Sequence, residues 1–156
     1  MQLRTTPDVG DLESYKVFLA GGISNCEDWQ AEIVKSLKDE DVILFNPRRP
    51  NFNMDDPEES RFQIEWEYRH LREADIVAFW FPSTSICPIT LMEFGRVAAG
   101  HQTLLVGADP EYPRHFDLEV QLGLSHPEQK VISSLDSLAN SVRLELFKRR
   151  ANQARR

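Results

Sequence analysis

The chain has 156 residues, 25 acidic against 18 basic side chains, and a formal net charge of −7. That length supports one hydrophobic core, and that charge argues against a general nucleic-acid binder, which carries a basic face. No apolar run approaches the ~20 residues that span a bilayer, so no membrane partner is expected and a small molecule is left as the partner class.

Residues 1–14 are polar, contain Pro7 and Gly10, and lack a hydrophobic signal core. They read as a flexible leader, and the cytoplasm is the expected location. Tyr15 to Ala20 is aromatic and β-branched enough to predict a strand, closed by Gly21-Gly22. Ser24 or Asn25 is placed to cap a helix running to about Lys38, with Trp29, Ile33, Val34 and Leu37 on its core face. Val42 to Phe45 predicts a second strand. Asn46-Pro47-Arg48-Arg49-Pro50 breaks it, and the loop continues to Pro57, a length that often carries function. The next helix, from about Glu58 to Glu73, carries Phe62, Ile64, Trp66, Tyr68 and Leu71 in no clean stripe, so part of it is expected to face a site or a partner chain.

Asp75 to Phe81 predicts a third strand, charged only at Asp75. A polar turn from Pro82 to Pro88 follows, then a helix from Ile89 to Ala99 with Glu93 near its start, between Met92 and Phe94. Thr103 to Gly107 is a fourth strand, Phe116 to Leu122 a short helix, and Lys130 to Ile132 a fifth strand. Ser133 or Ser134 caps a last helix. Its cations, Lys148, Arg149 and Arg150, read with Arg155 and Arg156 as a solvated helix end complementing the helix dipole, and 151–156 as a basic tail.

Alternating strands and helices predict an α/β fold. We expect one domain over 15–150, a three-layer α/β/α unit with a five-stranded parallel sheet in the flavodoxin-like, Rossmann-like order 2-1-3-4-5. The loops Gly21 to Asn25, Asn46 to Asn53 and Pro82 to Pro88 then meet at the C-terminal strand edge, where open α/β sheets bind ligands. Glu93 and Glu67 are the carboxylates nearest these loops. Two carboxylates on one pocket suit cleavage of a glycosidic bond, N-glycosidic bonds included: one attacks or stabilises an oxocarbenium-like centre while the other manages protons or orients the sugar. Plainer readings stand beside this one. Glu93 also fits a helix-start glutamate that complements the dipole, and Glu67 a solvated glutamate paired with neighbouring arginines. Gly21-Gly22 permits close approach of a ligand but lacks the GxGxxG and P-loop signatures. Cys87 has no histidine near it in sequence and reads as a turn residue. Cys26 and Cys87 form no CxxC or Cys/His cluster, so neither a metal site nor a disulfide framework is suggested.

Four stretches carry a resemblance: KVFLAGGIS from Lys16, LFNPRRP from Leu44, EWEYRHLREADIVAFWFP from Glu65, and LMEFGRVAAGHQTLLVG from Leu91. In order and spacing the chain resembles the nucleoside 2-deoxyribosyltransferase superfamily, which includes the 2'-deoxynucleoside 5'-monophosphate N-glycosidases. The resemblance implies that Glu93 attacks C1' of a deoxyribose in a double displacement and that Glu67 assists with the base. It implies that Phe18, Gly21 and Gly22 line the pocket and that Asn46, Pro47 and Arg48 approach the base or sugar. Ser85 is the preferred hydroxyl for a sugar or phosphate. Cys87 stands where the transferases typically carry an aspartate that holds the sugar hydroxyls. No cofactor or metal is implied. A nucleoside or nucleotide is the expected ligand, and a homo-oligomer is expected, with Trp66 and Tyr68 offering an interface. Water as acceptor, giving an N-hydrolase, is the first alternative to transfer, and a non-catalytic nucleotide-ligand-binding module is the second.

Overall fold

The computed structural model describes residues 14–50, 53 and 55–155; the expected leader therefore lies almost wholly outside the described residues. Strands β1 (Tyr15–Gly21), β2 (Val42–Phe45), β3 (Ile76–Phe81) and β4 (Thr103–Ala108) form one parallel sheet. Its order is β2-β1-β3-β4. Helices α1 (Trp29–Ser36), α2 (Pro57–Glu73), α3 (Pro88–Ala98), α4 (His115–Ser125) and α5 (Leu135–Gln153) complete the chain.

The expected fifth strand is corrected to a single parallel bridge between Gly107 and Ile132. Two bonds make it, Ala108 N to Ile132 O at 2.9 Å and Ile132 N to Val106 O at 2.8 Å. The chain leaves a turn at Gln129, bonded to His126 O, and caps α5 at Ser134, so no length remains for a ladder.

The sheet reverses direction between β1 and β3. The chain leaves β1 toward β2, then crosses back over β1 to reach β3. Right-handed crossovers in opposite directions send the intervening helices to different hydrophobic clusters. Val77, Phe79 and Phe81 of β3 pack with residues of α2, α3 and α4. Ile76, Ala78 and Trp80, alternating with them, pack with residues of α1 and α5. Every residue of β3 is buried, as a central strand covered by two clusters requires.

Local signals set the helix ends. Asp56 accepts from Glu58 N and Pro57 occupies the first turn of α2, a position its missing N–H suits. Ser134 caps α5 as expected. The cap expected at Ser24 or Asn25 is corrected to Asp28, whose Oδ1 accepts from Ala31 N at 3.0 Å. Asn25 instead takes a left-handed turn, φ 57°. Glu93 is also displaced from its expected position: α3 begins at Pro88 and its first turn holds no acid. Glu93 sits one turn further in, so complementing the helix dipole does not account for it.

Two further expectations change. Trp66 is not available for an interface. It is buried, stacked on His70 at 4.2 Å and tilted against Phe18 at 6.0 Å. The terminal cations are not simply solvated. Arg149 bonds Thr103 Oγ1 at 2.6 Å and Asp75 O at 3.2 Å. Arg150 pairs with Glu40 at 2.9 Å and bonds Asp41 O, and Arg143 bonds Ser36 O. Asp75 precedes β3 rather than opening it and accepts from Lys16 N at 2.8 Å. The end of α5 thus ties together the N-terminal edges of the strands.

Phe79 contacts Phe81 at 6.1 Å and meets Phe94 edge-on at 5.9 Å. Phe79→Ala is expected to cost about 3–5 kcal/mol, a large part of a typical domain's stability. Urea unfolding should show that loss, whereas Leu144→Ala on the exposed face of α5 should change stability by about 0.5 kcal/mol at most. Equal losses would contradict this placement of the core.

Candidate functional site

At the point where the sheet reverses, β1 and β3 end side by side, with Gly21 registered against Trp80. Chains leaving this point diverge, and a cavity of about 510 Å³ lies beyond them, within the range of small-molecule sites. Four segments line it: Phe18 to Ser24, the loop after β2, one face of α2, and the turn and start of α3.

Close approach of the strands depends on two glycines. A Cβ at Gly21 would lie 2.3 Å from Trp80 O and 2.5 Å from the Trp29 ring. One at Gly22 would lie 2.9 Å from Pro82 and 3.0 Å from Cys87 Sγ. Neither glycine takes a positive φ, so lack of bulk, not turn geometry, is what these positions require.

The face of α2 turned to the cavity carries Ser60, Gln63, Ile64, Glu67 and Tyr68. Their spacing, three, four, seven and eight residues on from Ser60, is one side of a helix. This face explains the missing apolar stripe. The facing part of α3 presents Ile89, Met92, Glu93 and Arg96 at the same kind of spacing. The two glutamates therefore come from different helices and enter one cavity.

Glu93 is only 8% exposed. Burial, with the charge of Glu67 adding to it and Arg96 opposing, pushes its carboxyl up to about 7. Glu67 is raised too, chiefly by burial. Two groups favour its ionised form: Gln63, whose Nε2 donates to Glu67 Oε1 at 2.6 Å, and the positive charge of Arg49. The same Gln63 nitrogen donates to Pro47 O at 2.8 Å, which fixes the amide's orientation. The two carboxyls thus enter one cavity with both raised by burial, and the charge of Glu67 makes Glu93 harder to ionise.

The turn before α3 is held by short bonds. Ser85 Oγ accepts from Cys87 N at 3.2 Å. Tyr112 Oη donates to Ile86 O at 2.7 Å, and burial pushes its hydroxyl up to about 12. Cys87 takes a left-handed backbone, φ 52°, immediately before Pro88. Its buried thiol lines the cavity, and burial raises its pKa, as befits a wall residue rather than a reactive thiolate.

Of the residues singled out in the sequence, Glu93, Glu67, Phe18, Gly21, Gly22, Pro47, Ser85 and Cys87 all line this cavity. Asn46 and Arg48 are not in its lining. Asn46 Oδ1 accepts from Arg48 N at 2.9 Å and folds the loop. Arg48 turns toward the first loop, and its neighbour Arg49 lines the cavity instead, pairing with Glu59 at 3.3 Å and lying over the Phe62 ring. The sequence reading missed Arg49, Gln63 and Arg96. The helical spacing from Glu67 and Glu93 could have found the last two; nothing in the Arg48-Arg49 pair marks which one turns inward. Among the described residues no group of three or more His, Cys, Asp or Glu is placed to hold a metal ion, and no helix is long and apolar enough to cross a membrane.

Residues 14–112 match the family model described as nucleoside 2-deoxyribosyltransferase like. That stretch holds all four cavity-lining segments and ends at Tyr112, which braces the turn before α3. No curated protein matches the chain.

The raised Glu93 carboxyl makes a stability prediction. In the fold it keeps its proton to about pH 7, against an ordinary 4.5. The stability present below about pH 4.5 is therefore lost as pH rises through 7, by on the order of 3 kcal/mol. Glu93→Gln should raise the melting temperature relative to wild type at pH 8 and leave it nearly unchanged at pH 4.5. An equal shift at both pH values would mean that the fold does not disfavour this charge.

Proposed function

The chain belongs to the nucleoside 2-deoxyribosyltransferase like family, and on that premise we propose that it breaks the N-glycosidic bond of a (deoxy)nucleoside or its nucleotide by double displacement through Glu93. The observation that carries this reading is the pairing of Glu93 and Glu67 across one small cavity, coupled closely enough that the charge of one raises the other. A proton shift from Glu93 to Glu67 would arm both groups at once. Glu93, as carboxylate, attacks C1' while the bond from C1' to the base nitrogen breaks. Glu67 gives its proton to the departing base. The glycosyl ester on Glu93 is then attacked by a second base, which completes transfer, or by water, which completes hydrolysis. Either acceptor surrenders its proton to Glu67 and restores the pair.

The apolar walls support an aromatic base as the group bound. Phe18, Pro47, Ile64 and Met92 lie around the carboxylates, an arrangement that holds a planar ring and excludes water from the ester. Ser85 and Cys87 form the side assigned to the sugar. We read the scaffold as a three-layer α/β/α unit, supported by the two hydrophobic clusters on alternate strand residues. A homo-oligomer belongs to the same reading, supported by the exposed Ile64, Tyr68, Ile89 and Met92 at the cavity mouth; elution as a monomer in size-exclusion chromatography would count against it.

The direct test is a panel of 2'-deoxynucleosides and their 5'-monophosphates, each incubated with and without an acceptor base. Wild type should release free base, and Glu93→Ala should be slower by at least about 10³-fold. A wild type that cleaves none of them, or a variant that equals it, defeats the reading. New nucleoside only when acceptor is present identifies transfer, and free sugar without acceptor identifies hydrolysis. Because the reaction uses the pair with one proton, kcat/KM should fall as pH rises above about 7. A rate that keeps climbing through pH 9 would rule out the shared proton.

A further inference from the structure

Arg48 lies outside the cavity, and its guanidinium is held by acceptors from another part of the chain. Its guanidinium is delivered from the loop after β2, where the Asn46 turn sets its direction. The side chain then crosses to the loop between β1 and α1. Nε donates to Gln30 Oε1 at 3.0 Å, and Nη2 donates to Glu27 O at 3.0 Å. Longer contacts reach Gly22 O and Cys26 Sγ, each at 3.5 Å, and Nε lies 3.3 Å from Asp28 Oδ1. The two short bonds define the geometry; the 3.5 Å contacts are at the weak limit. The carboxylate at 3.3 Å belongs to Asp28, the N-cap of α1.

The loop so held is the first wall of the cavity. Gly21 to Ser24 line it directly. Between Gly22 and Asp28 the chain forms neither helix nor strand, and Asn25 sits in a left-handed conformation. Gly22 O accepts from Trp29 Nε1 at 2.9 Å and from Gln30 Nε2 at 3.4 Å, so α1 holds the carbonyl that Arg48 approaches, and Arg48 in turn fixes Gln30 through its Oε1. The Arg48 side chain as a whole is 19% exposed. A planar guanidinium can satisfy two acceptors at a fixed angle; a lysine ammonium offers one mobile point of charge.

We infer that Arg48 is a positioning residue: it latches the β1–α1 loop to the loop after β2 and so fixes the first wall of the cavity, without touching the bound ligand. This departs from the role expected for Arg48 from the sequence, contact with base or sugar. The latch itself rests on the contacts above; its effect on turnover rests also on the proposed N-glycosidic reaction.

Two readouts separate these. Hydrogen exchange of the full-length protein without ligand should show amides of 22–28 exchanging about tenfold faster or more in Arg48→Ala, with β3 and α5 unchanged. Arg48→Lys retains charge and most of the buried stem, so it guards against a variant that fails to fold. It should show the same local acceleration, because the shorter, mobile ammonium lacks the fixed fork whose two nitrogens reach Gln30 and Glu27 together. With 2'-deoxyadenosine as probe, both variants should raise KM roughly tenfold while kcat changes far less, as loss of a preformed wall predicts. Unchanged exchange at 22–28 in both variants overturns the latch, and so does acceleration spread evenly over the whole chain. Normal exchange with a raised KM would return Arg48 to the ligand. Should wild type fail to act on any nucleoside, the proposed reaction falls, and the exchange result still decides the latch.

Discussion

The pairing of β1 with β3 is the constraint on which the rest depends. Val17 to Gly21 lie in register with Ile76 to Trp80, although the two stretches are separated by α1, β2 and α2. This parallel pairing forces the chain to reverse its direction across the sheet. It also brings a glycine at the end of one strand against the backbone of the other, where Trp80 O leaves no room for a side chain at Gly21. Everything at the site follows from the divergence beyond that point. The first loop turns toward α1, the turn after β3 leads into α3, and α2 closes over the gap with Gln63 and Glu67 facing inward.

The cavity places two carboxylates where folding alone disfavours them. Burial raises both, and the charge of Glu67 makes Glu93 harder still to ionise. The protein offsets this unequally. Gln63 and Arg49 favour charge on Glu67, whereas Glu93 has Arg96 opposing its desolvation. Unequal support separates the two ionisations, which is the usual way two similar acids come to have different tasks. In the core, Phe94 meets Phe79 and Phe81 edge to face and Tyr112 braces the turn before α3.

The sequence carried most of the scaffold and the two carboxylates. Strand content, helix spacing and the Asp56, Pro57 and Ser134 end signals act over a few residues, so they are legible without the fold. What was not legible depends on contacts distant in sequence. Lys130 to Ile132 has strand-like residues, yet only the available chain between its flanking turns decides that it forms one bridge. Asn25 is a good cap in isolation, but the left-handed turn it makes delays the helix to Trp29. Trp66 reads as an interface residue because its helix has no clean stripe; its burial follows from stacking on His70 and packing against Phe18. At the site, adjacent arginines part company: Arg49 enters the cavity and Arg48 grips the neighbouring loop. Their order in the chain cannot reveal that, since it is fixed by the Asn46 turn and by acceptors supplied from α1 and the loop before it.

In the double displacement proposed above, Glu93 becomes covalently bonded to a sugar carbon. Acid quenching of the full-length protein during turnover of a 2'-deoxynucleoside, followed by intact-mass and peptide mass spectrometry, reads that bond directly. A fraction of the protein should be heavier by one deoxyribosyl group, with the added mass on the peptide containing Glu93 and absent from Glu93→Gln. Base release with no adduct at any time point, or an adduct located on another residue, would contradict it.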